Sequence, residues 1–139
     1  MKVKKAYLRI VDANANRLKE ALRVCEDLGR FVLNDKKLSA SFKQRRHRVG
    51  RLLEGLSDSY RALVESRDSV SDVGRDRWIR DKSRDSRWQD ILAANLKRAQ
   101  EALRVLEEMA KVMAPRRVRG FERLRFDLYE LEKKSFRKF

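Results

Sequence analysis

A chain of 139 residues with a single proline, a single cysteine and a formal charge of +15 has the length of one core-bearing domain and too few cysteines for an intrachain disulfide. Charged residues make up 41% of it, a balance that favours helix over sheet. The start lacks an apolar run long enough for a signal peptide and no stretch reaches membrane length, so a cytoplasmic protein is expected, one whose charge draws polyanions, nucleotides and phosphorylated metabolites without choosing among them.

Residues 1–11 read as a lead-in, and Asp12 or Asn14 is expected to cap a first helix running to about Val32. Ala15, Leu18, Leu22, Cys25, Gly29 and Val32 recur at helical spacing and form an apolar seam. Cys25 on that seam reads as a small buried hydrophobe. A neighbouring row holds Ala21, Val24 and Leu28, headed by Arg17 and, one turn earlier, by Asn14. Glu20, Arg23, Asp27 and Arg30 alternate in sign at spacings of three and four, as on a solvated face.

Asn34 and Asp35 break this helix and start a second, which carries Leu38, Phe42, Val49, Leu52, Leu53, Leu56, Tyr60 and Leu63 on one face through Gly50 and Gly55. His47 points away from that face and reads as a surface residue. The segment 50–57 superficially has the glycine spacing of a phosphate loop, but Leu56 stands where the lysine must be and no strand precedes it. From Arg67 to about Gln89 the periodicity dissolves into Asp, Ser and Arg. That length exceeds an ordinary connection, and Trp78 and Trp88 favour a lid over disorder. A third helix runs from Asp85 or Ser86 to Met113, ended by Pro115. A fourth follows with Phe121, Leu124, Leu128 and Leu131 as its seam.

The third helix repeats the first. Glu20-Ala-Leu-Arg-Val24 and Glu101-Ala-Leu-Arg-Val105 are identical, and the same offset pairs Asn14 with Asn95 and Arg17 with Arg98. Phe121 and Arg125 repeat the spacing of Phe42 and Arg46. The expected fold is therefore all-α, a four-helix bundle made of two pseudo-repeated helical hairpins joined by a long loop. One domain over 1–139 is expected, with repeat one at about 12–65, the loop at about 67–89 and repeat two at about 90–134.

Two readings compete for the paired Asn and Arg. In one, Asn14 and Asn95 are N-caps and each Arg lays its stem along apolar surface with its head in water. In the other, two helix N-termini and the forks of Arg17 and Arg98 form a phosphate-binding cleft.

Arg9-Ile-Val-Asp-Ala-Asn14, Asn16-Arg17, Glu20-Ala-Leu-Arg-Val24, Arg46-His47, Arg67-Asp68, Asp72-Val-Gly74, Ala94-Asn95, Lys97-Arg98 and Glu101-Ala-Leu-Arg-Val-Leu-Glu-Glu108, in this order, resemble a small helical domain of thiamine biosynthesis. That domain is found as a monofunctional hydroxymethylpyrimidine phosphate kinase and at the N-terminus of fused thiamine phosphate synthases, the thiamine-phosphate pyrophosphorylase-like proteins. The resemblance covers Arg9 to about Glu132. It implies transfer of the ATP γ-phosphoryl group to 4-amino-5-hydroxymethyl-2-methylpyrimidine phosphate, giving the diphosphate; ATP and Mg2+ are the expected cofactors, and a separate thiamine phosphate synthase is a candidate partner. Arg75 departs from the family pattern, where a small hydroxylated residue is expected.

Phosphoryl transfer between two anions requires cationic groups that hold and neutralise both. Arg17, Arg46, Arg67, Arg98 and Arg125, with Asn14 and Asn95, are the candidates for phosphate and substrate binding. Asp72 and Arg98 are the catalytic candidates. Magnesium takes one or two protein carboxylates, for which Asp72, Asp27 and Glu108 are available. The acceptor phosphate is itself an oxyanion, so the chemistry does not call for a histidine. Two rival functions stand beside this one. A basic helical nucleic-acid module would use the clusters at 45–48 and 116–119, and a non-catalytic partner would bind the pyrimidine for a synthase. A homodimer that completes the site is a further expectation.

Overall fold

The computed structural model describes residues 2–75 and 87–139, and among them the chain is all-α, with five α-helices and no strand. Two helices of 26 residues dominate, α1 (Lys2–Asp27) and α4 (Trp88–Met113), and they share the most extensive helix–helix interface. Each opens a hairpin. α1 continues through a π-helical turn (Leu28–Val32) into α2 (Lys36–Leu53), and α4 passes through a 3-10 turn (Pro115–Arg117) into α5 (Val118–Phe136). A short α3 (Tyr60–Ser66) lies against α1.

The seams foreseen at helical spacing form the core, except that Val32, expected on the first, is 48% exposed because the π-helical turn at Leu28–Val32 shifts the chain off the α-helical register. Ala15, Leu18, Leu22 and Cys25 of α1 and Leu92, Leu96, Ala99, Leu103, Leu106 and Ala110 of α4 are buried in one continuous cluster with the seams of α2 and α5. Phe42 and Phe121, equivalent in the two hairpins, are each fully buried, worth about 2 to 3 kcal/mol apiece in transfer terms. Gly120 of α5 sits against Leu52 of α2, where an added Cβ would stand 2.5 Å from Cδ2 and the leucine side chain would have to turn aside.

The turn after α1 follows from local chemistry. Asn34 takes a left-handed conformation (φ 51°), which Asn tolerates better than most residues. Asp35 then caps α2, its carboxylate accepting from Leu38 N–H at 2.9 Å.

Several expected boundaries shift. α1 starts at Lys2, not at Asp12 or Asn14, because Leu8 and Val11 extend the seam backward and pack on the core. The expected second helix is two: α2 stops at Leu53, Gly55 sits in the turn, and Ser59 caps α3 by accepting from Ala62 N–H at 3.1 Å. Four expected helices thus become five. Tyr60, assigned to the apolar face, is 70% exposed. Of the segment 67–89, residues 76–86 lie outside the described residues, and with them Trp78 and the expected helix start at Asp85 or Ser86. Trp88 begins α4 and meets Phe139 edge-on at 4.5 Å.

Cys25 behaves as the buried hydrophobe its spacing suggests. Burial pushes its thiol up to about 12, so the nucleophilic thiolate is scarce near neutral pH. An alkylating reagent at about pH 8 should leave Cys25 unmodified in the native protein and label it fully in denaturant, as read by mass spectrometry. Rapid native labelling would mean that α1 opens locally.

Candidate functional site

Helical periodicity alone places Asn14, Arg17, Ala21 and Val24 in one row of α1, and Asn95, Arg98, Ala102 and Val105 in the matching row of α4. The pairing of α1 with α4 brings the two rows together around a cleft of about 690 Å3. Its lining is these eight residues with Glu20 and Glu101. Every lining residue therefore has its repeat equivalent across the cleft, five from each copy.

The small side chains of Ala21 and Ala102 are buried at the floor, while Arg17, Glu20, Arg98 and Glu101 are exposed at the rim. Among the described residues none of these four charged groups makes an ion pair. Among the described residues the two carboxylates and the Arg98 guanidinium are thus uncommitted, and the Arg17 guanidinium touches only Asn14 Oδ1, at 3.5 Å. Glu20 had read as part of a solvated stripe, and neither it nor Glu101 stood among the expected site residues. Their membership of the identical pentapeptide, one turn beyond the Arg, was the signal available.

Asn14 and Asn95 are not N-caps. Both lie well inside their helices, and each donates its Nδ2 to the carbonyl one turn earlier, Ile10 at 2.9 Å and Ile91 at 2.8 Å. Helix N-termini therefore contribute nothing to this cleft, whose backbone N–H groups are already engaged within the two helices. The cationic groups that line it are the guanidinium groups of Arg17 and Arg98.

The other candidates are placed elsewhere. Arg46 donates to Glu26 from Nε at 3.0 Å and approaches it from Nη2 at 2.9 Å. Its counterpart Arg125 donates to Glu107 from Nε at 2.7 Å and from Nη2 at 3.3 Å. The two pairs are repeat equivalents that tie each long helix to its hairpin partner. Glu107 raises the pKa of Arg125 above its ordinary value, so that guanidinium is firmly charged. Arg67 forms a two-point bond to buried Asp12, Nε at 2.6 Å and Nη2 at 2.9 Å, and the pairing raises its pKa likewise. It ties the segment after α3 to α1.

The expected metal ligands do not line the cleft either. Asp72 accepts from Gly74 N–H at 2.8 Å in an exposed turn. Asp27 pairs with Arg23 at 3.5 Å. Glu108 pairs with Lys111 at 2.7 Å and Arg104 at 3.0 Å, Lys111 chiefly holding its carboxyl below the usual range. Among the described residues no group of three His, Cys, Asp or Glu is placed to enclose a metal. His47 is exposed. The basic run 45–48 is divided among internal contacts, Arg45 to the Ser41 carbonyl and Arg48 to Asp127 as well as Arg46 to Glu26. Among the described residues no helix is long and apolar enough to cross a membrane.

Comparison with known proteins follows the same residues. Curated thiamine-phosphate synthases are similar to the chain: that of Synechococcus sp. is 38% identical over 132 residues, covering 89% of the chain and 34% of the relative. Those of Synechocystis sp. and Rhodopirellula baltica are 38% and 36% identical over 127 residues each, covering 91% and 90% of the chain and 35% and 33% of the relatives. The chain spans about a third of the length of the curated relatives it matches. No solved structure matches it. The model of the ThiD2 family matches residues 9–134, a span holding both hairpins and the whole cleft. The chain belongs to the ThiD2 family, as a domain of thiamine biosynthesis.

Proposed function

We propose that the chain is an ATP-dependent kinase that phosphorylates 4-amino-5-hydroxymethyl-2-methylpyrimidine phosphate to the diphosphate. The observation that carries this reading is the cleft itself, in which Asn, Arg and Glu are each supplied twice by repeat-related helices. A reaction that joins the phosphate of one ligand to the terminal phosphate of another needs two anion-binding groups facing one another. Arg17 and Arg98 supply them, one for each ligand.

An acceptor phosphate oxygen attacks the γ-phosphorus, the bond from that phosphorus to the bridging oxygen of the donor breaks, and ADP leaves with the electron pair. The acceptor is already an oxyanion, so no general base is required. The arginines hold the reacting groups in line and offset the charge they bring together. Mg2+, if held at this cleft, would supply further charge neutralisation. It takes one or two carboxylates and keeps several waters, which suits Glu20 and Glu101 better than Asp27, Asp72 or Glu108, whose carboxylates are engaged outside the cleft.

The test is an assay with purified protein, magnesium and ATP, offering hydroxymethylpyrimidine phosphate in one tube and free hydroxymethylpyrimidine in another. Diphosphate should form from the phosphate alone. Tight binding of the pyrimidine phosphate without ATP turnover would replace the kinase with a partner that delivers an intermediate to a synthase. Neither binding nor turnover by the folded protein would overturn both.

A further inference from the structure

The two halves of the cleft are built from the same residues but differ at their asparagines. Asn14 and Asn95 are 6% and 8% exposed, and each amide faces a main-chain carbonyl one turn earlier. An amide facing a carbonyl oxygen has to present its NH2 end. Its oxygen is therefore turned away from that carbonyl, held by the bond that occupies the nitrogen. In the first copy Asn14 Oδ1 accepts from Arg17 Nη1 at 3.5 Å. In the second, Asn95 Oδ1 accepts from nothing among the described residues. It is not sealed off, since Arg45 Nε is the one buried side-chain polar atom without a partner among them. A side chain more than nine-tenths buried thus brings an oriented acceptor to the cleft wall, on a ligand-facing row.

An uncommitted, fixed acceptor is matched by a ligand donor. We infer that Asn95 Oδ1 accepts a hydrogen bond from the exocyclic amino group of a 4-aminopyrimidine ring, making Asn95 a specificity-determining residue. This rests on the kinase reading above, and both ligands of that reaction carry the group, the acceptor on its pyrimidine and the donor within adenine. In the other half Arg17 shares the Asn14 oxygen, so there the asparagine positions the guanidinium instead. The repeat has diverged in task while keeping its residues.

A 4-oxo ring places acceptor against acceptor and leaves Asn95 Oδ1 unpaired. Sites built around a polar group reject the analogue that lacks it far better than apolar pockets reject a methylene. Discrimination of about tenfold to a hundredfold is expected.

The experiment is calorimetric titration of the full chain with two matched pairs: the aminopyrimidine phosphate against its 4-oxo analogue, and ATP against ITP. Wild-type protein should prefer the amino member of at least one pair, which also identifies the ring that Asn95 reads. Asn95→Leu should bring that preference close to unity, and Asn95→Ala serves the same purpose should the leucine variant fail to fold. Equal weakening of amino and oxo ligands in Asn95→Ala would make the asparagine a structural anchor and overturn the inference. Absence of preference in the wild type, with tight binding of both members, would overturn it while leaving the kinase reading intact. Binding of none of the four ligands would overturn that reading and the inference together.

Discussion

Arg98→Ala is expected to weaken phosphate-bearing ligands by about 1.5 to 3 kcal/mol, the range for hydrogen bonds to charged groups, which corresponds to roughly tenfold to 150-fold in affinity. Arg98 lines the cleft, is exposed and makes no ion pair among the described residues. Its loss should therefore leave the melting temperature nearly unchanged. That separation of binding from stability marks a guanidinium reserved for ligand. Arg17→Ala should give a loss of similar size, since Arg17 is the repeat equivalent across the cleft. Titration with the pyrimidine phosphate and, separately, with ATP distinguishes their tasks. If each arginine serves one ligand, each variant weakens chiefly one of the two, and the double variant loses both. Arginines that share a single phosphate would instead show strongly non-additive losses. Unchanged affinity for both ligands in both variants would remove this cleft as the phosphate site.

Glu107→Ala should cost about 3 to 5 kcal/mol of stability, because it leaves a guanidinium without its partner in a largely buried place. The side chains of Glu107 and Arg125 are only 6% and 13% exposed. Glu26→Ala, in the equivalent pair, should cost less, since Arg46 is 22% exposed and water can reach it. Replacing both partners by apolar residues, as in Glu107→Leu with Arg125→Met, should recover much of the loss, because no orphaned charge then remains. Urea unfolding midpoints at constant slope measure all three. A loss below about 1 kcal/mol for Glu107→Ala would show that solvent already screens the pair. The comparison also bears on function: a purely structural Arg125 predicts that phosphate affinity survives in any variant that stays folded.

The identity of the cleft wall was legible before any fold was known. A period near 3.6 is a local property of the backbone, so Asn14, Arg17, Ala21 and Val24 had to share a row on any helix containing them. The repeat then guaranteed a second such row. What local spacing does not carry is which surface a row faces, and the rows became one cleft only through the packing of α1 on α4.

The same limit explains the site residues that moved elsewhere. Arg46 and Arg125 sit at equivalent places in the repeat whether they bind phosphate or a carboxylate. Their partners Glu26 and Glu107 lie on another helix, and no periodicity links residues across a hairpin. Glu20 and Glu101 carried the opposite ambiguity: a sign-alternating stripe describes a solvated face and a cleft rim equally well. The asparagines misled at the helix start because a buried Asn bonding to the carbonyl one turn back has the same composition as an N-cap. The α2–α3 break was weakly marked, since two glycines in a long apolar pattern lower helix propensity without forbidding the helix.

Sequence alone thus settled the helical class, the core seams, the duplication and the two rows of candidate ligand-binding residues, all of which depend on spacing within one element or identity between two. Tertiary packing settled which rows face one another, which charges neutralise each other and which stay free. Those outcomes depend on contacts between residues far apart in the chain, where the partner is chosen by how whole helices dock and not by any neighbour in sequence.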